Sequence, residues 1–301
     1  MRAPARTLRT ARGILTLGGR PWLMGVVNAS PDSFSEAGER RTLRQQVEIA
    51  AQLLQSGADM IDIGGESAVT NRPTVSVDEE IDRVAALIER VSGGLGALVS
   101  VDTYKPEVAE VAIAAGAAIV NDVSGLRDPR LADVCARTGA GLVLMHTRAA
   151  PKQKLLDPAL DGRVVADMEA FLSGRMAAAL EHGMVAEQLL LDPGPDFGKT
   201  PAQTVEALHG LERLHALGRP LLLAVSRKDF IGALTHRPPR GRLGGTLAAI
   251  GYGLDAGAHV LRVHDVAATA DFVAVRAALQ GDTEVEGSLR LADELRWETA
   301  P

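Results

Sequence analysis

Eight apolar runs punctuate the chain, and seven of them stop at a polar residue able to do chemistry. They read WLMGVVN, ending at Asn28, MIDIGGE at Glu66, LVSVDT at Asp102, AIVNDV at Asn121 and Asp122, LVLMHT at His146, LLLDPG at Asp192, LLLAVSRK, which reaches Lys228 just past its end, and VLRVHD at Arg262 and His264. Near-continuous Val, Ile and Leu is the pattern of parallel strands buried on both faces. A charge at the carboxyl end of such a strand is costly unless a partner or a ligand meets it. The repetition therefore predicts one mouth that gathers the function.

Glycines separate these runs. Gly57, Gly93 or Gly96, Gly116, Gly139, Gly183, Gly218 and Gly257 each follow a helical pattern and precede an apolar run, as residues just past a helix C-terminus do. Leu43, Val47, Ala51 and Leu54 share one predicted helix face, and Ile81, Val84, Ala85, Ile88 and Val91 another, with Asp78, Glu79, Glu80, Asp82 and Arg83 predicted to point outward. Strand alternating with helix admits an open doubly wound sheet or a closed barrel. An open sheet places its site at one switch point, whereas polar ends recur here on nearly every strand. The expected fold is thus α/β, a (β/α)8 TIM barrel.

At 301 residues and 46% hydrophobic the chain can bury one large core, and residues 1–281 are expected to form a single barrel domain with a charged tail over 282–301. The first 31 residues hold five Arg and no acid, as a transit peptide does, but the simpler reading of GILTLGGRPWLMG is a hairpin turning at Gly18 and Gly19 that closes the barrel base. A net charge of -6 offers no basic field for nucleic acid, and no apolar stretch reaches the roughly 20 residues of a membrane span. The lone Cys135 suits a reducing compartment and reads as a small buried hydrophobe. A soluble, cytoplasmic protein is expected.

A barrel aims Asp102 and Asp192, distant in sequence, into one mouth. Two carboxylates there can accept hydrogen bonds from the N–H groups of a flat heterocycle or stabilise developing positive charge. Helix capping is the competing reading for Asp102, less so for Asp192, which Pro193 and Gly194 follow. Asn28 and Asn121 end apolar strands, so each amide needs a neighbour or a ligand; burying it unpartnered costs roughly 2 to 7 kcal/mol. Lys228, Arg262 and His264 belong to the last two strands, the usual phosphate corner of a barrel, though ion pairing with a mouth carboxylate would also explain them. His146 reads as a satisfied core histidine and stays outside the candidate site.

Taken in order, NASPDSFSEAG, DIGGES, SVDT, NDVSG, DPGPDFGK, SRKDF, GTLAA and RVHDV closely resemble the motifs of the dihydropteroate synthase family, from about Leu15 to about Leu279. The resemblance implies a transferase, usually a homodimer, that joins 6-hydroxymethyl-7,8-dihydropterin pyrophosphate to p-aminobenzoate with Mg²⁺ assistance. It implies a pterin pocket of Asp102, Asn121, Asp192 and Lys228, with Asp102, Asp192 and Lys228 catalytic. It assigns the diphosphate to Asn28, Arg262 and His264, the metal to Asn28, and the second substrate to Phe34, Ser67, Arg72, Phe197 and Asp229, with Asp32 and Ser33 in the first loop beside Phe34.

Three departures fall on the second-substrate side. Ala68 and Val69 replace the usual Thr and Arg of the second loop, with Arg72 three positions later. Asp229 stands where a hydroxyl or basic residue is usual, near the expected carboxylate of p-aminobenzoate, which it would repel unless turned away or neutralised. Pro195-Asp196 replaces an apolar residue and Gly. The departures leave open a paralogue that binds pterin but uses another amine or has little activity. A methyltransferase of the related pterin-binding barrels is a further alternative, against which the SRK segment and the SPDSFS loop argue, since a methyl carrier has no diphosphate to expel.

Overall fold

The computed structural model describes residues 3–29, 42–67, 73–153 and 155–296. Two strands, β1 (Arg6–Thr10) and β2 (Gly13–Leu17), form an antiparallel hairpin. Eight parallel strands follow: β3 (Trp22–Asn28), β4 (Met60–Gly64), β5 (Leu98–Asp102), β6 (Ile119–Asp122), β7 (Gly141–Met145), β8 (Leu189–Asp192), β9 (Leu222–Leu223) and β10 (Val260–Val263). They pair in the order β8-β7-β6-β5-β4-β3-β10-β9, and a parallel bridge between Leu191 and Leu221 joins the two ends. The α/β sheet is a closed (β/α)8 barrel.

The helices are α1 (Leu43–Gln55), α2 (Val77–Glu89), α3 (Pro106–Ala114), α4 (Arg130–Thr138), α5 (Val164–Glu181), α6 (Pro201–His209), α7 (Asp229–Thr235), α8 (Leu243–Asp255) and α9 (Val266–Leu279). Several begin or end on local chemistry. Thr42 and Thr200 make capping boxes with Gln45 and Gln203 at the starts of α1 and α6, and Pro106 opens α3 without needing an N–H partner. Gly57, Gly96, Gly116, Gly139, Gly183, Gly218 and Gly257 all take positive φ on the way to the next strand, so Gly96 rather than Gly93 is the turning residue.

Strand parity decides what faces inward. Successive side chains point to opposite faces, and Ile61, Val99, Val120, Leu142, Leu191, Leu223 and Leu261 go outward to the layer between sheet and helices. Their neighbours Met24, Met60, Ile119, Val143, Leu190, Leu222 and Val260 form a second cluster inside the barrel. Stepping two residues on from that inner layer reaches Asp62, Asn121, Asp192 and Arg262, which fixes the mouth residues as inward-facing.

The hairpin closes the opposite end. Leu8 and Leu17 are fully buried in the inner cluster, each contributing roughly 1.5–3 kcal/mol by burial. Ala11 donates its N–H to Ala118 O just before β6, Arg219 donates to Thr7 O, and the His259 ring meets Pro4 O at 2.8 Å. The hairpin turns at Ala11 and Arg12, between the paired Thr10 and Gly13, and not at Gly18 and Gly19 as the glycines suggested. Those glycines, at positive φ, redirect the chain from β2 into the barrel.

Two helix faces also differ from expectation. On α1 the buried residues are Gln46 and Ala50, with Val47 and Leu54 half-buried and Leu43 exposed. On α2 the apolar face is as expected, but Glu80 is buried and not outward: Lys105 at the start of α3 donates to its carboxylate at 2.5 Å. An ion partner from the next βα unit overrides the helical charge pattern. Beyond α9, residues 282–296 are exposed, and no described helix is long and apolar enough to cross a membrane.

Candidate active site

The inward-facing strand ends interlock. Arg262 on β10 donates Nε to Asp62 Oδ2 at 2.6 Å and Nη2 to Asp102 Oδ2 at 2.8 Å, reaching across β3 to β4 and β5. Asn121 on β6 donates Nδ2 to the same Asp62 oxygen at 3.1 Å. Asp62 is fully buried, so this is a charge-assisted network in low dielectric. Burial weakens the Arg262 cation, but Asp62 and Asp102 outweigh it and hold the guanidinium above its ordinary pKa. Burial raises Asp102 to about 7, with Arg262 opposing and Asp62 reinforcing the rise.

Asp102 caps no helix: Thr103 Oγ1 accepts from Lys105 N instead. Arg262 takes the ion-pair role that was its alternative reading. Asp62 was not singled out in the sequence, although its position in MIDIG, alternating with Met60, carried the signal that a polar residue faces the barrel interior.

Asp192 on β8 is buried and accepts from Gly194 N at 2.7 Å. Burial raises its carboxyl pKa against that hydrogen bond and the pull of Lys228 and Lys199. Gly194 must be glycine, because at its φ of +61° a Cβ would lie 2.1 Å from His146 O. Lys199 closes this loop from beneath, donating to Gly194 O at 2.8 Å, His146 O at 3.1 Å and Phe197 O at 3.3 Å. Three ammonium protons meet three carbonyls, yet burial still lowers Lys199 to about 7. Phe197 lies under the Lys228 ammonium, 4.2 Å from ring centroid to nitrogen, and burial lowers the Lys228 pKa. Lys199 was missed in the sequence; in DFGK nothing distinguishes a buried cation from a surface one.

Asp196, at φ +66°, occupies a conformation that costs a non-glycine residue about 1 kcal/mol or more. Its Oδ2 accepts from the first two amides of α7, Asp229 N at 2.5 Å and Phe230 N at 3.3 Å, and its Oδ1 accepts from Thr204 Oγ1. Asp196 thus caps α7 from another loop, which offsets the backbone cost. Asp229 is 88% exposed and is neutralised by Arg242 Nη1 at 2.8 Å. Asp229 lines the cavity and so does not turn away from it, but the pairing with Arg242 meets the other condition for tolerating an acid there.

On the opposite wall Glu66 accepts from Lys105 at 2.7 Å, Tyr104 Oη at 3.2 Å and Val75 N at 3.1 Å. Burial works against its ionisation, but these partners prevail and lower its pKa. Ser67 O accepts from Lys152. His264 Nδ1 contacts Ser226 Oγ at 3.0 Å, and burial lowers its imidazole to about 4, so it is neutral at pH 7. His146 is buried with Nε2 3.0 Å from Asp167 Oδ2, lowered by burial to about 3, as befits a core histidine. Asn28 is exposed at the end of β3.

A cavity of about 510 Å³ opens beside the strand ends, lined by Asp102, Lys228, Phe197, Ser67, Asp196 and Asp229 among others, while Asn121, Asp192 and Arg262 are not among its lining residues. The candidates Asp32, Ser33, Phe34, Ala68, Val69 and Arg72 lie outside the described residues. No group of three or more His, Cys, Asp or Glu placed to hold a metal occurs among the described residues. A Mg²⁺ that keeps its waters and binds substrate phosphates needs only one protein oxygen, and the exposed Asn28 carboxamide fits that requirement.

Residues 24–264 match the family model described as pterin binding enzyme. The chain is 40% identical to the dihydropteroate synthase of Synechocystis, over 87% of this chain and 91% of the relative, and 39% identical to that of Bacillus subtilis, over 87% and 89%. Among solved structures, a Xanthomonas albilineans dihydropteroate synthase with 4-aminobenzoic acid superposes with a TM-score of 0.83 at 43% identity, covering 91% of this chain and 98% of that one. The same enzyme in complex with 7,8-dihydropteroate gives 0.79 at 44% identity, covering 89% and 96%.

Proposed function

This chain belongs to the pterin-binding enzymes, with the dihydropteroate synthases, and we propose on that premise how its mouth performs their transfer of a pterinylmethyl group from 6-hydroxymethyl-7,8-dihydropterin pyrophosphate to p-aminobenzoate. The observation that carries the reading is the convergence of Asp102, Asn121, Asp192 and Lys228 at the carboxyl ends of the barrel strands, beside one cavity. The carboxylates of Asp102 and Asp192 accept the N–H groups of the pterin, and the Asn121 amide and Lys228 complete its edge.

Expulsion of diphosphate leaves positive charge on the pterin methylene. Asp102 and Asp192, held in place by Arg262 and the Gly194 amide, stabilise that charge without reorganising. The arylamine nitrogen then attacks from the outer cavity, beside Phe197 and Ser67, and loses its proton to solvent. Arg262, His264 and Asn28 face the leaving group; Arg262 does so while its Nε and Nη2 remain on the acids, a geometry that ties departure of the diphosphate to the charge state of the pterin site. Bound at Asn28, Mg²⁺ would neutralise charge on the departing phosphates.

The lone, buried Cys135 supports a cytoplasmic setting, the working unit is residues 1–281, and a homodimer follows the family. The test is pyrophosphate release and product mass from the purified chain with the pterin diphosphate, Mg²⁺ and p-aminobenzoate. Release that depends on the amine and is lost in Asp192→Asn supports the reading. Absence of both release and pterin binding defeats it.

A further inference from the structure

In the reading given above, Lys228 meets the pterin end of the donor substrate and His264 its diphosphate end, yet the backbone ladder joining their strands stops short of both. Between β9 and β10 it pairs only Leu222 with Val260 and Leu223 with Leu261. Side chains carry the same register onward, 38 residues apart in each case. Ser226 Oγ accepts from His264 N at 3.2 Å and contacts its Nδ1 at 3.0 Å. The Arg227 guanidinium then grips the Asp265 carboxylate with two bonds, Nε to Oδ2 at 3.0 Å and Nη2 to Oδ1 at 2.5 Å. A planar fork on a carboxylate fixes direction as well as distance, which a single point contact does not.

Two local features set this pair apart from a surface ion pair. Arg227 sits at φ +58°, an unfavourable conformation for a residue with a side chain, and is held there by its N–H on Thr246 Oγ1 and by Arg242, which donates to its carbonyl. Asp265 stands at the N-cap of α9, a position its residue type is well suited to cap, yet it makes no side-chain bond to the helix amides. Its carboxylate is directed at Arg227 instead. We infer that Asp265 is a positioning residue that, through Arg227, sets the spacing between Lys228 and His264 and so lets one donor molecule engage both at once. The inference rests on the donor reading given above and deepens it. A pterin alone or a pyrophosphate alone needs only its own end, whereas the intact donor needs both ends at a fixed separation, so a loss of alignment falls on the linked ligand. The pair is a quarter to a third exposed, so water screens its share in stability and its effect lies in alignment.

The test measures equilibrium binding of three ligands, 6-hydroxymethylpterin, pyrophosphate with Mg²⁺, and the pterin diphosphate without amine, to the full chain and to Asp265→Ser and Asp265→Asn. Serine is too short to reach Arg227 but can cap α9, so the helix keeps its start while the fork is lost. Asparagine keeps the shape and one of the two bonds. Asp265→Ser should weaken the pterin diphosphate about tenfold and leave each fragment within about twofold, with the urea midpoint unchanged. Asp265→Asn should fall between it and the parent. If Asp265→Ser lowers the midpoint, Asp265→Asn decides on the same three ligands. Parent-like binding of the pterin diphosphate, or equal weakening of all three ligands, overturns the inference while leaving the transfer reaction intact. A parent chain that binds neither fragment defeats the donor reading, and the inference with it.

Discussion

At the strand ends, Asp62, Asp102, Asn121 and Arg262 belong to four different strands and bond to one another inside the barrel, whereas at the rim Asp196, Asp229 and Arg242 join one loop to the next near solvent. The inner set sits where desolvation makes each unpaired charge expensive, so its members can change only together. The outer set pays little for change, because water replaces a lost partner. The two departures from the family pattern that lie among the described residues, at Pro195-Asp196 and at Asp229, both fall on the outer side, where the physical penalty is small.

The sharpest way to break this comparison is Arg262→Met. It leaves Asp62 and Asp102 in the mouth without their cation, and loss of one partner of a buried pair costs about 3–5 kcal/mol. Urea denaturation should show that loss, and product formation should fall at least about 100-fold. A variant as stable as the parent would mean that the inner network is as dispensable as the rim.

Next in size are the acids themselves. Asp192→Asn should weaken pterin binding by roughly 10- to 100-fold, as loss of a charged hydrogen bond of about 1.5–3 kcal/mol predicts, with pterin fluorescence as the readout. Asp102 adds a pH signature. Because its folded pKa is raised to about 7, it holds a proton between about pH 4 and 7 that the unfolded chain has released, so its contribution to stability declines as pH rises through that window. Pterin binding should run the other way, strengthening as pH climbs from 6 to 8 while the carboxylate forms. Asp102→Asn should flatten that profile.

How much of this was legible depended on whether a local pattern or a distant partner set the outcome. The barrel was readable because strand, glycine and helix repeat locally, and the mouth acids because they end apolar runs. Glu80 misled, since its sequence neighbours predict a solvated face and only Lys105, from the following unit, explains its burial. Asp62 escaped because a single acid inside MIDIG looks like a strand imperfection until parity puts it beside Asn121 and Arg262. The hairpin turn was misplaced because Ala11 and Arg12 carry no turn signature, while Gly18 and Gly19 do. Asp196 looked like a substitution in a loop; its bond to α7 spans 33 residues of chain and has no sequence mark.

Lys199 lies between the two regions and sharpens the boundary. Lys199→Met removes a buried charge and leaves three carbonyls without their donor, opposing effects that should nearly cancel in stability. The freed loop carries Phe197, so kcat/KM for the arylamine should fall by about 10-fold while pterin affinity stays within about threefold. Its pH behaviour is distinct: with a folded pKa lowered to about 7, the unfolded chain holds the extra proton above that pH, so stability should rise from about pH 7 toward 10 in the parent and lose that slope in the variant.

The smallest effect belongs to Asp229→Ser. Asp229 is 88% exposed, so its ion pair with Arg242 is screened by water and should contribute less than about 0.5 kcal/mol to the urea midpoint. Arg242 itself is a different matter, because it also donates to Arg227 O and Arg237 O and thereby fixes the turns on both sides of α7. Arg242→Ala should therefore cost more than Asp229→Ser, and the double variant should cost no more than the two together. Such a result places the stabilising half of the pair in the arginine's carbonyl bonds. A coupling energy above about 1 kcal/mol between the two would instead make the rim as interlocked as the strand ends, and the contrast between the regions would disappear.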